Sequence, residues 1–291
     1  MSEIRLNSQE IKEEKVPEIM LHFFRHDEKA KGSDDTEVRL TEKGKLHAKS
    51  LSSSETDLSQ AMAFGSPRKR TQETAGLVMA GAQDGIEGTE SLEDLKTKIN
   101  SGREFGSKLM GDSRLDFIIP ESGPYFDELM TAYKSGKLLK YYVEESDRKL
   151  VELGVDKKLD TYSSLASKIA ELIAKYLKIL PRWEELVKDE EKNYEPVLER
   201  FTATHQSVGE SFLAKVIEVT KGVAERDAFV AALNNQGFDF AEGFNTEIVK
   251  DGEEEKVHIT FKKEKDGQAI FEYDEVLPRE VIEGIIVKSE K

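Results

Sequence analysis

Ile19-Met20-Leu21-His22-Phe23-Phe24-Arg25-His26-Asp27-Glu28-Lys29 is a short apolar and aromatic run that ends abruptly in charge. Its length and composition read as a buried strand feeding a polar loop. Residues 31 to 37 are rich in Gly, Ser and Asp and continue that loop. Thr41 then offers an N-cap for a helix carrying Leu46 and Ala48. The pattern repeats at once: Ala61 to Gly65 is a second apolar run, Ser66 is an N-cap, Pro67 suits a first helical turn, and a helix follows through Leu77 and Val78. A third occurrence spans Pro196 to His205, with β-branched Thr202 and Thr204 leading to a histidine. Ser207-Val208-Gly209-Glu210 follows as a capping-box pattern ahead of Phe212, Leu213, Val216 and Ile217. Strand, turn and helix in alternation predict a three-layer α/β/α sandwich with a mostly parallel sheet.

The remainder of the chain is less regular. Between about 84 and 125 glycines punctuate a weakly periodic stretch in which Arg114 to Ile119 reads as a short strand. Residues 161 to 180 carry an apolar stripe at helical spacing, from Tyr162 to Leu180, that Pro181 is expected to end or kink. Beyond Phe238 come three alternating segments, Glu247 to Val249, Val257 to Lys262 and Ala269 to Tyr273. Asp251-Gly252 and Asp266-Gly267 separate them, as in hairpins. The acidic clusters at 189–191 and 253–255 read as solvated faces.

Composition removes several classes of function. With 43 Lys plus Arg against 58 Asp plus Glu, the net charge of −15 disfavours nucleic acid and anionic lipid as partners. No cysteine is present, which excludes disulfides, thiolate nucleophiles, iron–sulfur clusters and Cys-ligated zinc. No apolar run approaches the roughly 18 residues of a membrane span, and the charged N-terminus lacks a signal-peptide core. A cytoplasmic protein without membrane attachment is expected.

In parallel α/β sheets, ligands collect beyond the carboxyl ends of the strands. Three polar clusters sit there: Arg25-His26, Ser66 to Arg70, and Thr204-His205. Two arginines and two histidines converging from separate strands suit an anion, because guanidinium forks grip phosphate oxygens and a helix N-terminus adds its dipole. A phosphate pocket follows from the residues alone. His22 is expected to be a packed core histidine, and His47 and His258 have no metal-ligand spacing; no metal or other cofactor is implied. Glu210 reads as a helix cap.

Phe24-Arg25-His26-Asp27-Glu28 resembles the R-H-G-E signature of the histidine phosphatase superfamily, the phosphoglycerate-mutase-like fold. Arg39-Leu40-Thr41-Glu42-Lys43-Gly44 is similar to its L-T-x-x-G helix start. Ser66-Pro67-Arg68-Lys69-Arg70-Thr71-Gln72-Glu73-Thr74-Ala75 is similar to its S-P-x-x-R-x-x-x-T-A block, and Thr204-His205 falls where its second histidine stands. The resemblance covers roughly 60 residues at the front and about 15 near position 205. It implies that His26 is a nucleophile forming a transient phosphohistidine, with Arg25, Arg70 and His205 around the phosphoryl oxygens and no metal required.

The general acid is the open position. Glu121 is favoured, with Asp116 and Asp27 as alternatives, while Gln206 stands where one branch of the family places an acid. Asp27 also replaces the family's usual glycine, so it must turn away or serve as the donor.

The resulting expectation is a catalytic domain from residues 17–84 and 195–291, interrupted by a mostly helical cap insertion over 85–194 and preceded by a loose tail over 1–16. It would hydrolyse phosphate monoesters or phosphoprotein side chains. The alternatives are a mutase-type phosphoryl transferase and a catalytically inactive phosphate-binding module. The partner is a small phosphorylated substrate or a phosphoprotein, and the sequence sets no oligomeric state.

Overall fold

A computed structural model of the chain describes residues 16–101, 107–154, 156, 158–192 and 194–287. The tail expected over 1–16 lies outside this set apart from its last position, as do Gly102 and Gly106. The first apolar run forms β1 (Glu18–Arg25), followed by α1 (Glu42–Ser50), β2 (Met62–Gly65), α2 (Lys69–Ala80), α3 (Leu92–Ile99) and β3 (Leu109–Gly111). Helices α4 (Pro124–Lys134), α5 (Leu138–Tyr141), α6 (Asp147–Glu152) and α7 (Tyr162–Lys188) precede β4 (Val197–Thr204). The chain ends with α8 (Val208–Lys221), α9 (Val223–Ala232), β5 (Gly243–Asp251), β6 (Glu254–Lys265), β7 (Gln268–Pro278) and α10 (Arg279–Ile285).

All seven strands form one sheet in the order β3-β2-β4-β1-β5-β6-β7. The β3-β2-β4-β1 half is parallel, and the expected hairpins β5 to β7 extend the same sheet antiparallel. Alternation along β1 builds two cores. Ile19, Leu21 and Phe23 face one side with the stripe of α7 and with Phe212, Leu213 and Ile217 of α8. Phe24 faces the other with Ala63, Phe201 and the apolar residues of α2 and α3. This is the three-layer α/β/α arrangement, with helix α2 buried along nearly its whole length because sheet, α1 and α3 surround it. No helix among the described residues is long and apolar enough to cross a membrane.

The stretch 85–194 is predominantly helical. It also supplies the edge strand β3, and α7 packs along α8 in the layer beneath the sheet. Several local expectations are corrected. The strand expected over 114–119 is a 3₁₀ turn, Ser113–Leu115, because Asp112 accepts the Arg114 N–H at 3.0 Å and turns the chain after the three-residue β3. Leu46 is exposed on α1 while Ala48 is buried. Pro181 does not end α7, which runs seven residues further. The continuation is held by buried Trp183, whose Nε1–H donates to the Pro196 carbonyl at 2.8 Å. At α8 the capping box is half formed: the Glu210 carboxylate takes the Ser207 backbone N–H, but Ser207 sits at φ 75 and its hydroxyl caps nothing.

Candidate active site

The strand ends are brought together by pairing. His26 N–H donates to the Thr204 carbonyl at 2.8 Å, which ties the turn after β1 to the turn after β4. Gly65 ends β2 where α2 lies directly against it. A Cβ there would stand 2.4 Å from the Gln72 nitrogen, so only glycine lets the first turn of α2 come this close. Ser66 is consequently not the N-cap expected of it. The cap position is Arg68, and the Ser66 hydroxyl turns inward to meet His205 Nε2 at 2.8 Å.

The result is one crevice of about 550 Å³ whose floor is Arg25, His26, Arg70 and His205. His26 Nδ1 is 2.7 Å from its neighbour's carbonyl, that of Asp27, so Nδ1 carries the proton and Nε2 is left with a lone pair. Arg70 Nε–H donates toward that Nε2 at 3.3 Å. Burial pushes the His26 imidazole well below its ordinary value, and the positive charges of Arg70 and Arg25 act in the same direction. His26 is thus a neutral, oriented base at pH 7. Arg70 is 2% exposed and is clamped by Asp35, its Nη1 donating to the carbonyl at 2.6 Å and its Nη2 to the carboxylate at 3.0 Å. Arg25 donates to the Phe238 carbonyl at 2.6 Å and lies over the Phe240 ring, while its buried Nε has no partner.

His205 is edge-on to His26, with ring centroids 5.4 Å apart. Its Nε2 lies 3.3 Å from Asp116, and its buried Nδ1 has no partner. Burial brings its imidazole down to about 4, against the opposing pull of Asp116. Burial disfavours the Asp116 anion, yet hydrogen bonds with His205 and Arg68 outweigh it and hold the carboxyl at about 2. Asp35 is likewise held well below the usual carboxylate range by Lys29 and Arg70 despite burial.

The proposed acids are therefore placed unequally. Asp116 touches the cluster as an ionised partner of Arg68 and His205. Asp27 has turned away, its carboxylate meeting the Glu28 N–H at 2.6 Å and His47 Nδ1 at 2.6 Å. Glu121 is exposed on the loop before α4 and does not line the crevice. His22 is half-buried, paired to Asn245 and Glu199 and stacked on Phe201. Sequence reasoning did not single out Asp35, Lys29, Arg68 or Ser66 as partners of the floor. Arg68 and Ser66 lay within a quoted motif, but nothing in the 31–37 loop distinguished Asp35 from its neighbours. No group of three or more metal-ligating side chains is found among the described residues.

Burying two neutral imidazoles ties stability to pH. Unfolded histidine titrates near 6.5 and His205 in the fold near 4, so its contribution is complete above 6.5 and is lost as pH falls toward 4. At pH 5 the loss is about 2 kcal/mol for this residue, and His26 acts in the same direction. The melting temperature should fall by several degrees between pH 7.5 and pH 5, and His205→Asn should reduce that fall. Identical pH dependence in wild type and variant would refute the assignment.

No protein-family profile matches this chain, and no curated protein matches it. Among solved structures it is similar to a mycobacterial glucosyl-3-phosphoglycerate phosphatase (11% identity, 80% of this chain and 90% of that one, TM-score 0.43). It is also similar to a mycobacterial hydrolase (12% identity, 94% and 97% coverage, TM-score 0.43). A third is a variant phosphoserine phosphatase from Entamoeba histolytica in complex with phosphoserine (15% identity, 80% and 91% coverage, TM-score 0.35). The functional reading rests on the crevice itself.

Proposed function

We propose that this chain is a phosphatase that hydrolyses phosphate monoesters through a phosphohistidine on His26. The observation that carries the reading is the His26 ring: neutral, fixed by its Nδ1 bond to the Asp27 carbonyl, and presenting Nε2 beside Arg70 in an otherwise cationic floor. A binding site for phosphate needs the arginines but has no use for an oriented lone pair among them.

The floor supports each step. The phosphoryl group enters with its oxygens toward Arg25 and Arg70, where the unpartnered Nε–H of Arg25 and the Nε–H that Arg70 directs at His26 Nε2 supply donors. His26 Nε2 attacks phosphorus in line as the ester P–O bond breaks, the leaving oxygen keeping that bond's electron pair and taking a proton from solvent. Charge accumulating on the equatorial oxygens is met by these guanidinium groups. His205, held by Ser66 and Asp116 through Nε2, donates from Nδ1 to the same oxygens when it takes a proton. Water then attacks the phosphohistidine and returns Nε2 to its starting state. The walls contributed by α4 and α5 stand over this floor and govern which phosphorylated partner enters.

The test is to incubate the protein with aryl, alkyl and sugar phosphates in excess chelator, following phosphate release and quenching in alkali, where phosphohistidine survives. Release together with mass-labelled His26 is the expected result. Label without release makes the chain a mutase-type transferase, and phosphate bound with neither release nor label makes it a binding module.

A further inference from the structure

Above its charged floor the crevice changes character. Phe117, Ile119, Leu129, Tyr133, Tyr142 and Phe240 form its walls, and Lys29, already paired with Asp35 at 2.7 Å, is the one cation lining it beyond the floor among the described residues. Apart from the Gln206 amide and the hydroxyls of Tyr133 and Tyr142, the group carried by the phosphate thus meets rings and aliphatic chains, and among the described residues no second cluster of cations lines the crevice for a second anion. Hydroxyl groups pressed against such walls lose their water without gaining partners.

The second observation concerns the proton. Ester cleavage leaves an oxygen anion that ordinarily needs a general acid. The carboxyl groups at the floor, Asp35 and Asp116, are both consumed in ion pairs with Lys29, Arg68, Arg70 and His205. Asp27 faces His47, Glu121 is exposed away from the crevice, and Gln206 has no acidic proton. Among the described residues, no carboxyl free of an ion pair lines the crevice. A phenolate, whose conjugate acid has a pKa near 10, departs without help where an alkoxide does not.

We infer, resting on the phosphatase reading above, that the substrates of this site are aryl phosphate monoesters whose leaving oxygen departs as a phenolate. The lone pair of His26 Nε2 forms the N–P bond as the P–O(aryl) bond breaks. That bond's electron pair goes to the phenolate, which takes its proton from solvent. Water then adds to phosphorus, the N–P pair returns to Nε2, and the proton released by water leaves with inorganic phosphate or bulk solvent. The aromatic walls hold the departing ring by stacking and edge contacts.

The experiment compares phenyl phosphate, cyclohexyl phosphate and glucose 6-phosphate on the full chain in chelator, with the His26 label read in parallel. Phenyl phosphate should exceed cyclohexyl phosphate in kcat by about 100-fold or more, the span a general acid would otherwise bridge. Cyclohexyl phosphate should compete with an inhibition constant within about tenfold of the phenyl phosphate KM, because the walls accept both shapes. Glucose 6-phosphate should be poorer in binding as well. Among ring-substituted phenyl phosphates the rate should climb steeply with the acidity of the phenol, a dependence that proton donation would flatten. Tyr133→Ala, at an exposed wall position, should raise KM for phenyl phosphate several-fold with a smaller change in kcat. Equal turnover of the cyclohexyl or glucose ester, with His26 labelled, overturns the inference and leaves the phosphatase reading standing. Absence of turnover and of label for all three overturns both.

Discussion

His26→Ala should lower turnover by about 10⁴-fold or more, with phosphate still bound within about tenfold of wild type. The size follows from what the residue does and from what survives its loss. Without Nε2 the covalent route on this residue is lost, and the carboxylates nearest the floor, Asp35 and Asp116, are engaged with arginines and poorly placed to activate water instead. Arg25 and Arg70 remain, and their guanidinium groups are expected to hold the anion. The variant should therefore separate binding from chemistry: isothermal titration with inorganic phosphate detects a site, while alkaline-quenched protein carries no label. A variant retaining a tenth of wild-type turnover would mean that another group attacks phosphorus. Because the buried imidazole is also lost, the variant should be less sensitive to mild acid than wild type.

Arg70→Lys should cost about 10² to 10³-fold in kcat/KM, the range seen when one preorganised donor to a developing oxyanion is removed. Charge is preserved, so the loss isolates geometry. Arg70 makes three hydrogen bonds to two residues at once, with Nε toward His26 Nε2 at 3.3 Å and two nitrogens on Asp35. A lysine ammonium can satisfy Asp35 or approach the phosphoryl group, but it has no planar fork with which to do both. Circular dichroism and the melting curve check that the fold persists, since Arg70 is buried. If Arg70→Lys retains wild-type kcat/KM, the guanidinium is a structural strut for the 31–37 loop and does not serve the transition state.

Much of this was legible where local pattern and tertiary role coincide. The apolar run 19–24 is a strand because its odd positions fill one core and Phe24 fills the other. Arg25, His26, Arg70 and His205 converge because three parallel strands end on one line. Legibility failed where a residue had two possible partners and tertiary contact chose between them. Ser66 had the chemistry of a cap but is taken by His205. Ser207 had the same chemistry and its hydroxyl is left unpaired at a left-handed turn. Asp27 could face substrate or α1, and His47 decided it. The stretch 114–119 was misread as a strand because Phe117 and Ile119 line the crevice wall. Phe117 is edge-on to His205, and the Arg68 guanidinium lies over the Phe117 ring, 4.5 Å from its centroid. Hydrophobicity there lines a crevice, which alternation rules do not distinguish from a strand.

The position of β1 has a bearing on how the chain acquires activity. Both of its sheet neighbours, β4 and β5, are encoded beyond residue 196, so the strand that leads into His26 has no backbone partner until residues beyond 196 have been made. Such long-range closure is slow, and an unpaired apolar strand is an aggregation hazard while it waits. Competence for phosphohistidine formation should consequently appear only with the last phase of refolding. The site then serves as a clock hand for assembly: early secondary structure will be silent in the assay, and chemistry will start when the central strand is enclosed on both sides.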